Sequence, residues 1–169
     1  MKRSVILLFL FLPVQKILAQ DNLTDCINYT FNHMDSLSGI GKNAFEEWKK
    51  CVLDKPIPVF TARTISGKAI GKDDFKGKVV VLNFWSINCL PCIAELPGLN
   101  KLVKKYKAKD VVIIAMTWEA AVKIKKEFLP KYQFDCAIVP DALRIIDKIA
   151  ASGYPTTYII DKKGIIKAA

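Results

Sequence analysis

Cys89 and Cys92 stand two residues apart in the stretch Asn88-Cys89-Leu90-Pro91-Cys92-Ile93. Two thiols at that spacing can pass two electrons to a third sulfur: one thiolate attacks a disulfide to form a mixed disulfide, and its neighbour resolves it. The run Lys78 to Trp85 before them is continuously apolar, as in a strand buried on both faces of a sheet, and the residues after Cys89 have helical spacing. The pair therefore sits where a buried strand hands over to a helix. A sulfur at a helix N-terminus faces unpaired backbone N–H groups and the positive end of the helix dipole, which favours its thiolate. Cys89, at the helix start, is the expected nucleophile, and Cys92, one turn inside, the shielded resolving thiol. Pro91 falls in the first turn, where its missing N–H costs nothing.

Other uses of such a pair fit less well. A structural zinc site needs four ligands, yet there is no second Cys-x-x-Cys and His33 is the single histidine. Covalent haem attachment wants a histidine directly after the second cysteine, where this chain has Ile93. An inert structural disulfide remains as an alternative, against which the reactive strand-to-helix position speaks.

The 169 residues, 51% hydrophobic and 25% charged, suffice for one domain of ordinary size with a modest extension. From Gln20 to Lys55 the pattern is polar, with helix-compatible stretches at Leu23 to Met34 and Ala44 to Leu53. Lys55-Pro56 and Ile57-Pro58 then break any helix. Beyond them strand-like and helix-like runs alternate, which implies an α/β fold, a central β-sheet flanked by helices. Strands are expected at Lys78 to Trp85 and Val111 to Thr117, and a final antiparallel pair at Thr156 to Ile160 and Gly164 to Lys167. Helices are expected at Leu90 to Lys107, Ala120 to Leu129 and Ala142 to Ala151.

Residues 1–19 have the layout of a secretory signal peptide: Lys2 and Arg3, an apolar stretch from Val5 to Leu12 too short to span a bilayer, and Ala19 as a small residue before the cleavage point. A buried N-terminal strand is the alternative. The mature chain, residues 20–169, is then expected to be soluble and extracytoplasmic, in a periplasm or cell envelope, where five cysteines are at home. The formal charge is +10, and losing Lys2, Arg3 and Lys16 with the leader leaves about +7. The lysines are spread along helical stretches such as Lys101, Lys104, Lys105, Lys107 and Lys109 without interleaved aromatics, so a solvated face is expected rather than nucleic-acid binding.

Over roughly Pro56 to Ala168 the chain resembles the thioredoxin superfamily, within it the TlpA/ResA-like group of exported thiol–disulfide oxidoreductases. The resemblance rests on Pro58-Val59-Phe60, on Phe75-Lys76-Gly77-Lys78 running into Trp85, on the cysteine pair followed by Glu95 and Pro97, and on Gly153-Tyr154-Pro155-Thr156-Thr157. It implies a thioredoxin-like fold with a mixed sheet over residues 56–169 and a protein-disulfide reductase acting through a Cys89–Cys92 redox disulfide. It implies no dissociable cofactor and no metal. Pro155 is implied to be cis and opposite the pair, with Tyr154 offering backbone to an extended substrate; a trans proline opening the next strand is the alternative. Glu95, one helical turn after Cys92, is implied to relay protons to the sulfurs, or else is a first-turn acid favoured only by the dipole. Thioredoxins proper carry an aspartate where this chain has Asn83. Trp85 is a substrate-facing wall of the rim or a core residue.

The expected partners are disulfide-containing substrate proteins and a membrane thiol protein as electron donor, the chain acting as a monomer, with a role in cytochrome c maturation within the family's range. A silent binding module and a disulfide oxidant or isomerase are the other readings. A peroxidase is disfavoured because the Pro-x-x-x-Thr-x-x-Cys arrangement is missing. Cys26 and Cys51 are expected to bridge and staple the extension, or to stay free, and Cys136 to be a buried small hydrophobe. The chain ends at Ala169, where the family continues into a C-terminal helix. The expectation is a truncated sequence, or a sheet face left open unless residues 20–55 pack on it.

Overall fold

The run Val79–Phe84 forms the central strand, and five of its six residues are buried, as a strand covered on both faces must be. The structure is a computed structural model that describes residues 23–34 and 42–169, without the side chains of 29–34, 42 and 43. The proposed leader 1–19 and the His33 side chain lie outside the described residues.

In chain order the elements are α1 (Leu23–Met34), α2 (Lys42–Val52), β1 (Ala62–Arg63), β2 (Ala69–Ile70), α3 (Lys72–Phe75), β3 (Val79–Phe84), α4 (Leu90–Tyr106), β4 (Val111–Met116), α5 (Ala121–Lys123) running into a π-helical turn Ile124–Phe128, β5 (Ala137–Val139), α6 (Leu143–Ile149), β6 (Thr156–Ile160) and β7 (Ile166–Ala168). Five strands form a mixed sheet in the order β5-β4-β3-β6-β7. β3, β4 and β5 run parallel, whereas β6 is antiparallel to β3 with Phe84 opposite Thr156, and β7 returns antiparallel to β6. β1 and β2 make a separate hairpin.

Side chains alternate across each strand, which divides the core in two. Val80, Leu82 and Phe84 with Ile114 and Met116 face one layer, where they meet Leu23, Trp48, Ile146 and Tyr158. Ala115 and Ile138 face the other, with Cys92 and Leu96 of α4 and with Phe128. The first layer is the work of the N-terminal extension. Trp48 is fully buried; its indole N–H donates to the carbonyl of Ala150 at 2.8 Å and its ring stacks on Tyr158 at 5.9 Å. A disulfide joins Cys26 of α1 to Cys51 of α2, with Cα atoms 5.6 Å apart. α1 and α2 thus cover the sheet face opposite α4.

The helix expected at Ala120 to Leu129 is instead one turn of α-helix followed by the π-helical turn, which Pro130 ends. The extra residue of a π-turn swings the following side chains round the axis, and Ile124 and Phe128 both end up buried. α6 is shorter than the apolar run suggests because Ala150 takes a left-handed conformation, φ 61°, and closes it.

Candidate active site

The C-terminal ends of parallel strands share one edge of a sheet, the edge at which α/β folds bind their ligands. Here β3 delivers Ser86 to Cys89 to that edge, β4 delivers Trp118 and Glu119, and β5 delivers Pro140 and Asp141. Antiparallel β6 begins there, so Tyr154 and Pro155 arrive from the opposite direction. Four segments far apart in sequence therefore converge for topological reasons alone.

Cys89 is the N-cap of α4, with extended backbone (φ −87°, ψ 98°), and its Sγ accepts the backbone N–H of Cys92 at 3.2 Å. Pro91 occupies the first turn. The two cysteines are joined as a disulfide, with Cα atoms 5.2 Å apart. Cys89 is half-buried and Cys92 is 3% exposed, so a partner arriving from solvent can reach the first sulfur and not the second. After reduction, the N–H now aimed at Cys89 is the group that stabilises its thiolate.

The Tyr154–Pro155 peptide bond is cis. Tyr154 is half-buried and packs against both halves of the core. Its phenol is held above the usual range, first by burial and then by the charges of Asp147 and Glu119. Beneath the pair, the Asn83 amide, 1% exposed, donates to the hydroxyl of Thr157 at 3.0 Å across the β3–β6 ladder.

Two expectations need correction. Trp85 is 1% exposed, with its ring 4.7 Å from Phe128 and 5.1 Å from Phe134. It is core beneath the site and not a wall that substrate touches. Glu95, one turn after Cys92, is exposed rather than partly buried. The buried stripe of α4 runs through Cys92 and Leu96. At 3.6 residues per turn, Glu95 stands about 60° round the axis from Cys92 on the far flank from Leu96, and solvent meets it there.

A carboxylate is buried at this edge all the same. Glu119, 1% exposed, accepts the Ser86 hydroxyl at 3.3 Å and the Lys123 ammonium at 3.1 Å, while its backbone N–H bonds the Thr117 hydroxyl at 3.2 Å. It ties the loop entering the cysteine pair to the loop after β4. The sequence carried a signal for it: an acid directly past a continuous apolar strand, four residues before a lysine. Trp118 beside it is 46% exposed, with the Lys123 ammonium 5.9 Å from its ring centre. Leu90, between the cysteines, is 78% exposed. These two side chains, not Trp85, are the apolar rim.

The third thiol near the site is out of play. Cys136 is buried against the α4 layer, and burial, with a smaller push from Asp135, raises it to about 12. A thiol held protonated is a packing group.

The AhpC/TSA family model matches residues 53–169. Thioredoxin-like protein YneN of Bacillus subtilis (strain 168) is 38% identical over 113 residues, which is 65% of this chain and 66% of that protein. A thiol-disulfide oxidoreductase ResA of Bacillus cereus is 36% identical over 121 residues, 71% of this chain and 70% of that protein. The aligned stretch thus spans about two thirds of these relatives. Among solved structures, one assigned as the thiol:disulfide interchange protein DsbE of Chlorobium tepidum superposes with a TM-score of 0.60 at 28% identity, covering 68% of this chain and 82% of that one. A thiol:disulfide interchange protein from Bacteroides sp. shares the fold, with a TM-score of 0.60 at 24% identity over 69% of this chain and 79% of its own.

Proposed function

Given that the chain belongs to the AhpC/TSA family, as a thiol–disulfide oxidoreductase of thioredoxin-like fold, we propose that it reduces disulfides of extracytoplasmic proteins through Cys89 and Cys92. The observation that carries this reading is the asymmetry of the pair: one sulfur at the helix N-cap within reach of solvent, the other buried one turn behind it.

In the proposed cycle the Cys89 thiolate attacks one sulfur of a substrate disulfide. A Cys89–substrate bond forms, the substrate S–S bond breaks, and the departing thiolate takes a proton from solvent. Cys92 then loses its proton and attacks the Cys89 sulfur, which closes the Cys89–Cys92 disulfide and releases the second substrate thiolate. The substrate gains two electrons and two protons, and the pair loses them. The disulfide in the structure is the product state, and a membrane dithiol protein serves as the donor that restores the thiols. Extended substrate lies along the Tyr154–Pro155 segment, whose backbone offers an added-strand contact. Glu119 holds the Ser86 loop in place while the sulfurs change partners.

The extracytoplasmic setting is supported by the leader-like residues 1–19 and by the Cys26–Cys51 bridge, a bond that persists in oxidising compartments. Among the described residues no helix is long and apolar enough to cross a membrane.

Turnover tests the reading. Reduced chain mixed with insulin and dithiothreitol is expected to speed disulfide reduction, Cys89→Ser to abolish the effect, and Cys92→Ser to accumulate a mixed disulfide visible on a non-reducing gel. An adduct formed equally well by Cys89→Ser would overturn the assignment of nucleophile; no acceleration by the native chain would overturn the reductase.

A further inference from the structure

A groove runs from beside the redox pair between α4 and the segment from Glu127 to Gln133. Its near part, about 280 Å³, begins at Asn88 and Leu90 and is floored by Ile87, Ile93 and Phe128. Its far part, about 410 Å³, continues past Leu96 and Pro97 to Lys101 and Lys104, and the two parts share Ile93, Lys131 and Tyr132. The facing wall is fixed: the Asn100 side chain donates to the Gln133 carbonyl at 2.9 Å and accepts the Asp135 N–H at 2.8 Å, and the Tyr132 ring lies 4.9 Å from Phe128.

The groove is apolar at the cysteine end and basic at the other. Lys101 and Lys131 form no ion pair among the described residues, Lys104 faces Asp135 at 3.7 Å, and Glu127 is the one carboxylate in the lining. From Leu90 to Lys101 the helix rises about 16 Å, the reach of about five residues of extended chain.

We infer that this groove receives an acidic segment of the substrate polypeptide, an apolar side chain beside the substrate cysteine filling the near part and carboxylates about three to five residues farther on meeting Lys101 and Lys131. The inference rests on the reductase reading and narrows it: among disulfides of equal potential, those flanked by acidic chain are reduced first.

The probes are three synthetic peptides, each with one cysteine capped by mercaptoethanol in a disulfide and a leucine next to it, followed by an acidic, a neutral or a basic tail. Reduced chain is expected to consume the acidic peptide about fivefold faster than the neutral one, the modest gain that two exposed ion pairs allow. The basic peptide trails, and 0.5 M NaCl compresses the spread. The double variant Lys101→Glu/Lys131→Glu is expected to invert the order while reducing hydroxyethyl disulfide, small and uncharged, at the native rate. Equal rates for the three peptides, or an order that the double variant leaves intact, would overturn the groove. Peptides with serine for cysteine, titrated by NMR, give a reading free of the chemistry: tail-dependent shifts at Lys101 and Tyr132 support the groove even if exchange fails, and failed exchange with hydroxyethyl disulfide counts against the reductase instead.

Discussion

Replacing both Cys26 and Cys51 by alanine isolates what the extension contributes to stability. The bridge joins residues 25 apart. Cross-linking a loop of that size removes chain entropy from the unfolded state equivalent to about 3.5 kcal/mol at 25 °C. Alanine is the right replacement because Cys26 is fully buried and a serine hydroxyl there would add a desolvation cost of its own. For a chain of this length each kcal/mol shifts the melting midpoint by about 2–4 °C, so a drop of about 10 °C is expected. Urea unfolding with Cys89–Cys92 kept oxidised reads the free energy, and hydroxyethyl disulfide reduction reads the site in the same preparation. α1 and α2 lie on the sheet face away from α4, so the exchange rate should hold at temperatures where the variant stays folded. An unchanged midpoint would refute the reasoning, because it would mean that α1 and α2 do not fold as part of the domain.

Glu119→Gln keeps the side-chain volume but removes the charge that Lys123 and Ser86 share. A loss of about 1–3 kcal/mol by urea titration is expected, with Glu95→Gln close to neutral because its side chain is exposed. On the alkaline side, burial raises both the Cys136 thiol, to about 12, and the Tyr158 phenol. Each group is neutral in the fold and easier to ionise once unfolded. Their contribution is therefore intact below the ordinary values of 9.0 and 10.0 and is lost as pH climbs through that range towards 12. Stability measured from pH 8 to 12 should hold to about 9 and then fall, and Cys136→Ala should flatten the lower part of the fall; a flat profile would contradict the burial of both groups.

The site was legible where its signals are local. A helix N-cap is decided within a few residues, so the strand, the cysteine pair and Pro91 disclose the position of Cys89 without any tertiary information. The exposure of Glu95 is not local: helical spacing puts it one turn from Cys92, but which flank is covered depends on what the rest of the fold packs against it, and Glu95 is left exposed. Glu119 failed to stand out for the complementary reason. It gains its importance because β4 ends beside β3, and that adjacency belongs to the sheet order. Trp85 ends a buried strand and could have pointed up or down; the π-helical turn, invisible in the apolar spacing of Ala120 to Leu129, brings Phe128 against it. The two-residue strands β1 and β2 are too short to leave a period. In the extension, helices were readable from spacing, while the contact of Trp48 with Tyr158 joins positions 110 residues apart that no local pattern connects.

The most direct test of the central claim is the reduction potential of the Cys89–Cys92 pair, set by equilibrating residues 20–169 in dithiothreitol or glutathione buffers and trapping free thiols for mass spectrometry. A reversible two-electron couple more negative than about −230 mV, on the reducing side of the isomerases and near the thioredoxins, is the result expected of a disulfide reductase. A couple near about −120 mV, where strong oxidants lie, or a pair that never cycles, would contradict it.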